Sequence, residues 1–208
     1  MSKQETYYLY GAGGHSMVIA ELLEVSGMQI TGFYDEMTYK NEVFGYPVLK
    51  SAKELNTHND VRWIICVGNN KARKAITEKQ AFLYGRAIHP TAQISKRSSI
   101  GEGTVIMAGV VVNSSAAIGK HVILNTNASI DHECILEDYV HVSPGASLAG
   151  NVVVGEGTHI GTGASVIPGV KIGKWCTIGA GAAIIKDVPD FATVVGVPGR
   201  VIKLGSAL

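Results

Sequence analysis

The sequence predicts an α/β domain followed by a parallel β-solenoid, and two patterns carry that expectation. Seventeen positions spaced six residues apart without a slip, from Ile88, Ile94 and Ile100 through to Ile184, are all Ile, Val or Leu. Before them, short apolar runs alternate with amphipathic ones. A period of six fits neither the 3.6 of a helix nor the alternation of an ordinary strand. It suits stacked coils in which each short strand buries one aliphatic residue. The grammar changes near residue 87, dividing the chain into 1–86 and 87–208, the latter with a C-terminal extension.

In the first part, Thr6–Tyr10 reads as a strand leading into Gly11-Ala12-Gly13-Gly14-His15. A helix is expected over residues 16–25, with Val18, Ile19, Leu22 and Leu23 on its apolar face and Gly27 as its stop. Residues 30–34 form a second strand ending at Asp35 and Glu36. Ser51-Ala52-Lys53-Glu54 has the form of a capping box that opens a short helix. Residues 62–67 read as a buried strand, and a helix is expected over 71–84, closed by Gly85. Strands alternating with helices imply a small parallel sheet covered on both faces. The one small basic cluster, Lys71, Arg73 and Lys74, reads as a solvated helix face.

In the second part, the position four residues after each aliphatic, from Ala92 to Ala182, is always small or β-branched, as a narrow interior requires. Glycine directly follows the aliphatic at Gly101, Gly119, Gly155, Gly161, Gly173 and Gly179, where a sharp corner would favour a residue without Cβ. Three hexads make a triangular coil of 18 residues, and the span holds a little over five coils. These would stack at about 4.8 Å per coil.

A net charge of +1 gives no basis for a nucleic acid or an acidic membrane as partner. Cys134 and Cys176 occupy the small interior position and read as core hydrophobes rather than disulfide partners. No run approaches the ~18 apolar residues of a membrane span, and the start lacks an apolar leader, so a cytoplasmic protein without membrane insertion is expected.

Three constellations could carry chemistry. Asp131-His132-Glu133 follows Ile130 at a coil corner, and a histidine beside carboxylates is a candidate general base; a solvated polar corner is the other reading. A His132–Glu133 contact would need the corner geometry, because neighbours on a strand point oppositely. His141 and His159 lie one full coil apart and should stack on one face, as a column, as zinc ligands or as surface residues; zinc would need a third donor. His132 and His141 are half a coil apart, more than about 10 Å at 3.3 Å per residue. Either one alone is catalytic, or the site is built between subunits. Gly11-Ala12-Gly13-Gly14-His15-Ser16 would let backbone amides approach a phosphate at a helix start. Ser16 replaces the third glycine of a dinucleotide fingerprint, and a nucleotide-sugar site fits better, with Asp35 and Glu36 placed to meet hydroxyl groups.

With these segments in this order, the chain resembles hexapeptide-repeat sugar O- and N-acyltransferases of the sialic acid O-acetyltransferase type, in the nucleotide-linked 4-amino-sugar N-acetyltransferase branch. The motifs that carry the resemblance are Tyr10-Gly-Ala-Gly-Gly-His15, Val67-Gly-Asn-Asn70, Asn125-Thr-Asn127, Asp131-His-Glu-Cys134, His141-Val-Ser-Pro-Gly145, Ala149-Gly-Asn151 and Gly196-Val-Pro198. The resemblance implies an N-terminal Rossmann-like domain followed by a left-handed parallel β-helix, assembled as a homotrimer with intersubunit active sites. It implies acetyl-CoA as cosubstrate, no metal, and an acceptor amine on a nucleotide-linked sugar of bacterial glycan synthesis. His132 would be the general base and Glu133 would raise its basicity. His141, Gly150, Thr162 and Ala180 would line the acetyl-CoA site, while Gly13, Gly14, His15, Asp35, Glu36 and Gly68 would hold the nucleotide-sugar. Gly150, one coil above His132, would leave room beside the base for a thioester. O-acetylation of sialic acid or another sugar, and a γ-carbonic-anhydrase-like zinc enzyme, are the alternatives.

Overall fold

The computed structural model describes residues 5–51 and 61–206. The first part runs β1 (Thr6–Tyr10), α1 (Gly14–Val25), β2 (Gln29–Tyr34), β3 (Glu42–Val43), β4 (Tyr46–Leu49), β5 (Arg62–Ile65) and α2 (Asn70–Lys79). The sheet order is β3-β4-β2-β1-β5, parallel except for the β3–β4 hairpin. Strand order reverses beside β1, so the loops after β1 and β5 open together at the carboxyl edge, the usual place for a ligand in such sheets. Phe44 and Gly45, both with positive φ, turn the unforeseen hairpin.

Helix α1 buries Ile19, Ala20, Leu22 and Leu23 against Leu9, Phe33 and Ile64. Val18, expected on that face, is 45% exposed. The opposite face is covered by stacked rings, Tyr8 on Trp63 at 5.0 Å and Trp63 on Phe82 at 4.3 Å. Helix α2 therefore stops at Lys79 rather than running to residue 84. Beyond it the chain is extended along β5, with Trp63 N–H donating to Leu83 O and Gly85 N–H donating to Trp63 O. The expected capping box lies outside the described residues from Ala52 onward.

From Ala87–Ile88 to Ala183–Ile184 the chain forms two-residue strands every six residues. They stack in parallel as a triangular prism. Its first face contains Ile123–Leu124, His141–Val142 and His159–Ile160; its second, Ser129–Ile130 and Ser147–Leu148; its third, Ile135–Leu136 and Val153–Val154. The aliphatic of each strand points inward and, from Ile106 to Ile184, is at most 4% exposed. The interior Thr104 and Thr158 remain satisfied, their hydroxyls donating to Gly119 O and Gly173 O. Ala192–Val195 extends the first face, and Arg200–Leu204 returns antiparallel beside it, covering what would be an open edge.

The corners differ from expectation in phase. The left-handed backbone falls three residues after the aliphatic, at Gly103, Gly157 and Gly163 but also at His121, Glu133 and Trp175. Gly101 and Gly155, directly after the aliphatic, lack positive φ and serve close stacking instead. An added Cβ would lie 2.4 Å from the Gly119 carbonyl and 2.7 Å from the Gly173 carbonyl carbon, respectively.

The two parts meet along the corner between the third and first faces. Asn70 Nδ2 donates to Gly157 O at 3.0 Å, Thr77 Oγ1 meets Tyr139 Oη at 2.8 Å, and Lys74 pairs with Glu156. Arg73 is 1% exposed, so the solvated-face reading of the basic cluster fails for it. Among the described residues, no helix is long and apolar enough to cross a membrane.

Candidate active site

The corner between the second and third faces carries Asp131-His132-Glu133. Glu133 takes a left-handed backbone, φ 58°, and this turns its side chain back to the preceding residue. Its Oε2 lies 3.2 Å from His132 Nδ1. A carboxylate only accepts, so this contact suits the tautomer with the proton on Nδ1 and the lone pair on Nε2. Asp131 Oδ1 accepts the His132 backbone N–H at 2.7 Å and Asn113 Nδ2 at 2.8 Å, and these bonds, the Asn113 one foremost, lower the Asp131 carboxyl below its ordinary range. Both partners of the His132–Glu133 pair are more than half exposed, so the contact orients the ring more than it stabilises the fold.

Gly150 stacks one coil above. A Cβ there would lie 2.5 Å from His132 Cε1 and Nε2. The space that the glycine leaves is where the imidazole sits.

A second cluster forms where the Rossmann-like part meets the first face. His141 and His159 rings stack at 4.9 Å, and His15, at the start of α1, approaches His141 at 6.4 Å. His159 Nε2 meets Ser143 Oγ at 2.7 Å, and Asn125 Nδ2 lies 3.3 Å from His141 Nε2. Burial first, then the neighbouring His159, Arg73 and His15, pushes His141 down to about 3, while a backbone hydrogen bond with Gly68 acts upward. Burial and Arg73 push His15 down to about 4. These rings are neutral at physiological pH. Asp35 sits beside the same glycine loop, its Oδ2 accepting Ala12 N–H at 2.9 Å; Glu36 accepts from Tyr34 Oη. Gly13 and Gly14 face open space.

Thr162 and Ala180 stack at the third corner, between the first and second faces, where Gly181 N–H donates to Thr162 O. One chain therefore groups the candidates three ways: His132, Glu133 and Gly150; His15, Gly68 and His141 near Gly13, Gly14, Asp35 and Glu36; and Thr162 with Ala180. Among the described residues, no three His, Cys, Asp or Glu converge as a metal-ligand set.

Two residues escaped the sequence reading. His121 is 3% exposed, stacked on Tyr139 at 5.5 Å, with no partner for Nδ1 among the described residues. Its 18-residue spacing from Tyr139 was the available signal. Arg73 gave none, because nothing local tells the buried side of α2 from the solvated one.

Comparison with known proteins places the chain. Residues 7–80 match the PglD N-terminal domain, and residues 151–186 match the bacterial transferase hexapeptide, six repeats. The acetyltransferase domain of PglB from Neisseria gonorrhoeae FA1090, solved with acetyl coenzyme A, is 39% identical. The match covers 96% of this chain and 100% of that one, with a TM-score of 0.91. The chain belongs to the PglD-like hexapeptide-repeat sugar N-acetyltransferases. Its prism is accordingly the left-handed parallel β-helix of that family. Another member, a variant of perosamine N-acetyltransferase from Caulobacter crescentus in complex with CoA and GDP-perosamine, is 35% identical over 95% of this chain and 97% of that one, with a TM-score of 0.91. UDP-N-acetylbacillosamine N-acetyltransferase of Bacillus subtilis is 44% identical over 112 residues, so the alignment spans half the length of that curated relative.

Proposed function

We propose that this PglD-like protein is an acetyl-CoA-dependent N-acetyltransferase acting on the amino group of a nucleotide-linked 4-amino-4,6-dideoxy sugar in bacterial glycan synthesis. The observation that carries the reading is the His132–Glu133 pair seated against Gly150, in a chain matching end to end relatives solved with acetyl-CoA, or with CoA and GDP-perosamine. His132 Nε2 takes a proton from the acceptor amine, whose nitrogen attacks the thioester carbonyl. A backbone amide near Gly150 stabilises the oxyanion, the C–S bond breaks, and CoA leaves as its thiolate. Glu133 fixes the ring and supports the imidazolium.

In the proposed division of labour, residues 1–86 bind the nucleotide-sugar through Gly13, Gly14, His15, Asp35, Glu36 and Gly68, and residues 87–208 bind acetyl-CoA through His141, Gly150, Thr162 and Ala180. Because these groups occupy different corners of one prism, the proposed assembly is a homotrimer with sites between subunits. Ile135, Ile167 and Ile185, each more than 40% exposed at or beside the His132 corner, are apolar surface that such packing would cover. Three buried free cysteines fit a reducing, cytoplasmic setting.

The test is a screen of nucleotide-linked amino sugars with acetyl-CoA, following released thiol. With the sugar that reacts, His132→Ala is expected to lower turnover at least about a hundredfold, the scale of a lost general base. Near-normal turnover would refute the assignment of the base, and sedimentation showing an active monomer would refute the intersubunit site.

A further inference from the structure

Among the described residues, no carboxylate pairs with the buried Arg73 cation, which is held by carbonyl oxygens instead. Its Nε donates to His121 O at 2.9 Å, Nη1 to Val67 O at 2.9 Å and Gly68 O at 3.3 Å, and Nη2 to Asn70 Oδ1 at 2.9 Å and Tyr139 O at 2.8 Å. All five N–H donors are thereby used. Burial lowers its pKa only to about 10, so the guanidinium stays charged at neutral pH. A contact needed for packing alone would be as well served by an apolar side chain, because burying an ion costs several kcal/mol that its partners must offset. What the guanidinium adds is a rigid plane with bonds in fixed directions. One arm of that plane holds the loop after β5, and the other holds two successive coils of the prism at His121 and Tyr139.

We infer that Arg73 is a positioning residue that clamps the Val67–Gly68 loop to the prism, and so sets where the acceptor sugar is presented to the thioester. The inference rests on the functional reading above, in which Gly68 contacts the nucleotide-sugar. The loop lies at the carboxyl edge of the sheet, where ligands bind. His132 and Gly150 lie at a different corner, with no bond to Arg73 among those above. Loss of the clamp should therefore disturb the acceptor and spare the base. A reactant misplaced by about 1 Å loses up to about a hundredfold in rate.

Arg73→Lys and Arg73→Met test this, with both substrates varied in steady state and amide hydrogen exchange followed over residues 67–70. Arg73→Lys keeps the charge but cannot reach loop and prism in one plane. It is expected to lower kcat/KM for the amino-sugar nucleotide about tenfold. The KM for acetyl-CoA should stay within about twofold, with loop exchange faster and exchange at the His132 corner unchanged. Arg73→Met should show the same split, larger; if it does not fold, Arg73→Lys decides alone. Unchanged acceptor kcat/KM overturns the inference. So does an equal loss for both substrates accompanied by a lower Tm, the mark of a merely structural role. If the wild-type enzyme acetylates no nucleotide-linked amino sugar, the functional reading has failed, and exchange then decides the clamp: unchanged protection at 67–70 in both variants refutes it.

Discussion

At the scale of single residues, the proposed catalytic corner depends on an atom that is missing. The His132 ring lies where a Gly150 Cβ would be, 2.5 Å from Cε1 and Nε2. Gly150→Ala must therefore push the ring off its seat and away from Glu133 Oε2. The fold should tolerate it, because the clash is with an exposed side chain that can swing outward. Turnover is expected to fall at least about tenfold, since proton transfer requires hydrogen-bond reach, while the KM for the nucleotide-sugar holds. Steady-state kinetics beside a thermal melt would check this; normal turnover with a lowered Tm would mean that Gly150 serves only stacking.

At the scale of the coil, glycines do two different jobs, and sequence reasoning merged them. Gly163 has φ +64° with nothing within 4 Å of an added Cβ, whereas Gly155 has ordinary φ and would meet the Gly173 backbone at 2.7 Å. Asn stands at the equivalent left-handed slot in Asn127 and Asn151. Gly163→Asn should thus change stability by less than about 1 kcal/mol, because Asn visits that region readily. Gly155→Asn should cost more than about 2 kcal/mol, because stacked backbone cannot give way. Denaturant unfolding of both variants separates the two jobs. The sequence made the prism legible because every hexad carries the same burial demand, so Ile88 to Ile184 reported one geometry many times over. It left the corner phase illegible because a glycine letter does not distinguish backbone freedom from close approach. Helix α2 ends before its periodicity does for a related reason: Phe82 stacks on Trp63, and Tyr84 packs on Phe82 and His121, long-range contacts that helix periodicity cannot register. The His132–Glu133 contact could be anticipated as adjacent residues at a turn. The approach of His15 to His141 spans most of the chain and follows only from how the two parts dock, through α2 and through the α1 core packed on Ala87, Val105 and Met107.

At the scale of the whole molecule, the join between the Rossmann-like part and the prism is lined with neutral imidazoles, and this makes the protein acid-sensitive in a defined direction. Burial, then Arg73, lowers His121 to about 4 and His15 to about 4; burial, then His159, Arg73 and His15, lowers His141 to about 3; and burial and Arg73 also lower His159. In the unfolded chain the same groups titrate near the ordinary 6.5. Between these values the unfolded chain binds protons that the folded one refuses, so stability rises with pH there. The contribution is complete above about pH 6.5 and is lost as pH falls toward 4. Thermal melts across pH 4 to 8 should show a plateau on the alkaline side and a steady fall below about 6.5. His121→Phe keeps a ring against Tyr139 and removes one titrating group that faces Tyr84, Tyr139 and the Arg73 cation. That variant should lose less stability than the wild type over the same acid range, whatever its Tm at pH 8. An identical acid slope would mean that His121 does not titrate at the join and that the acid sensitivity arises elsewhere.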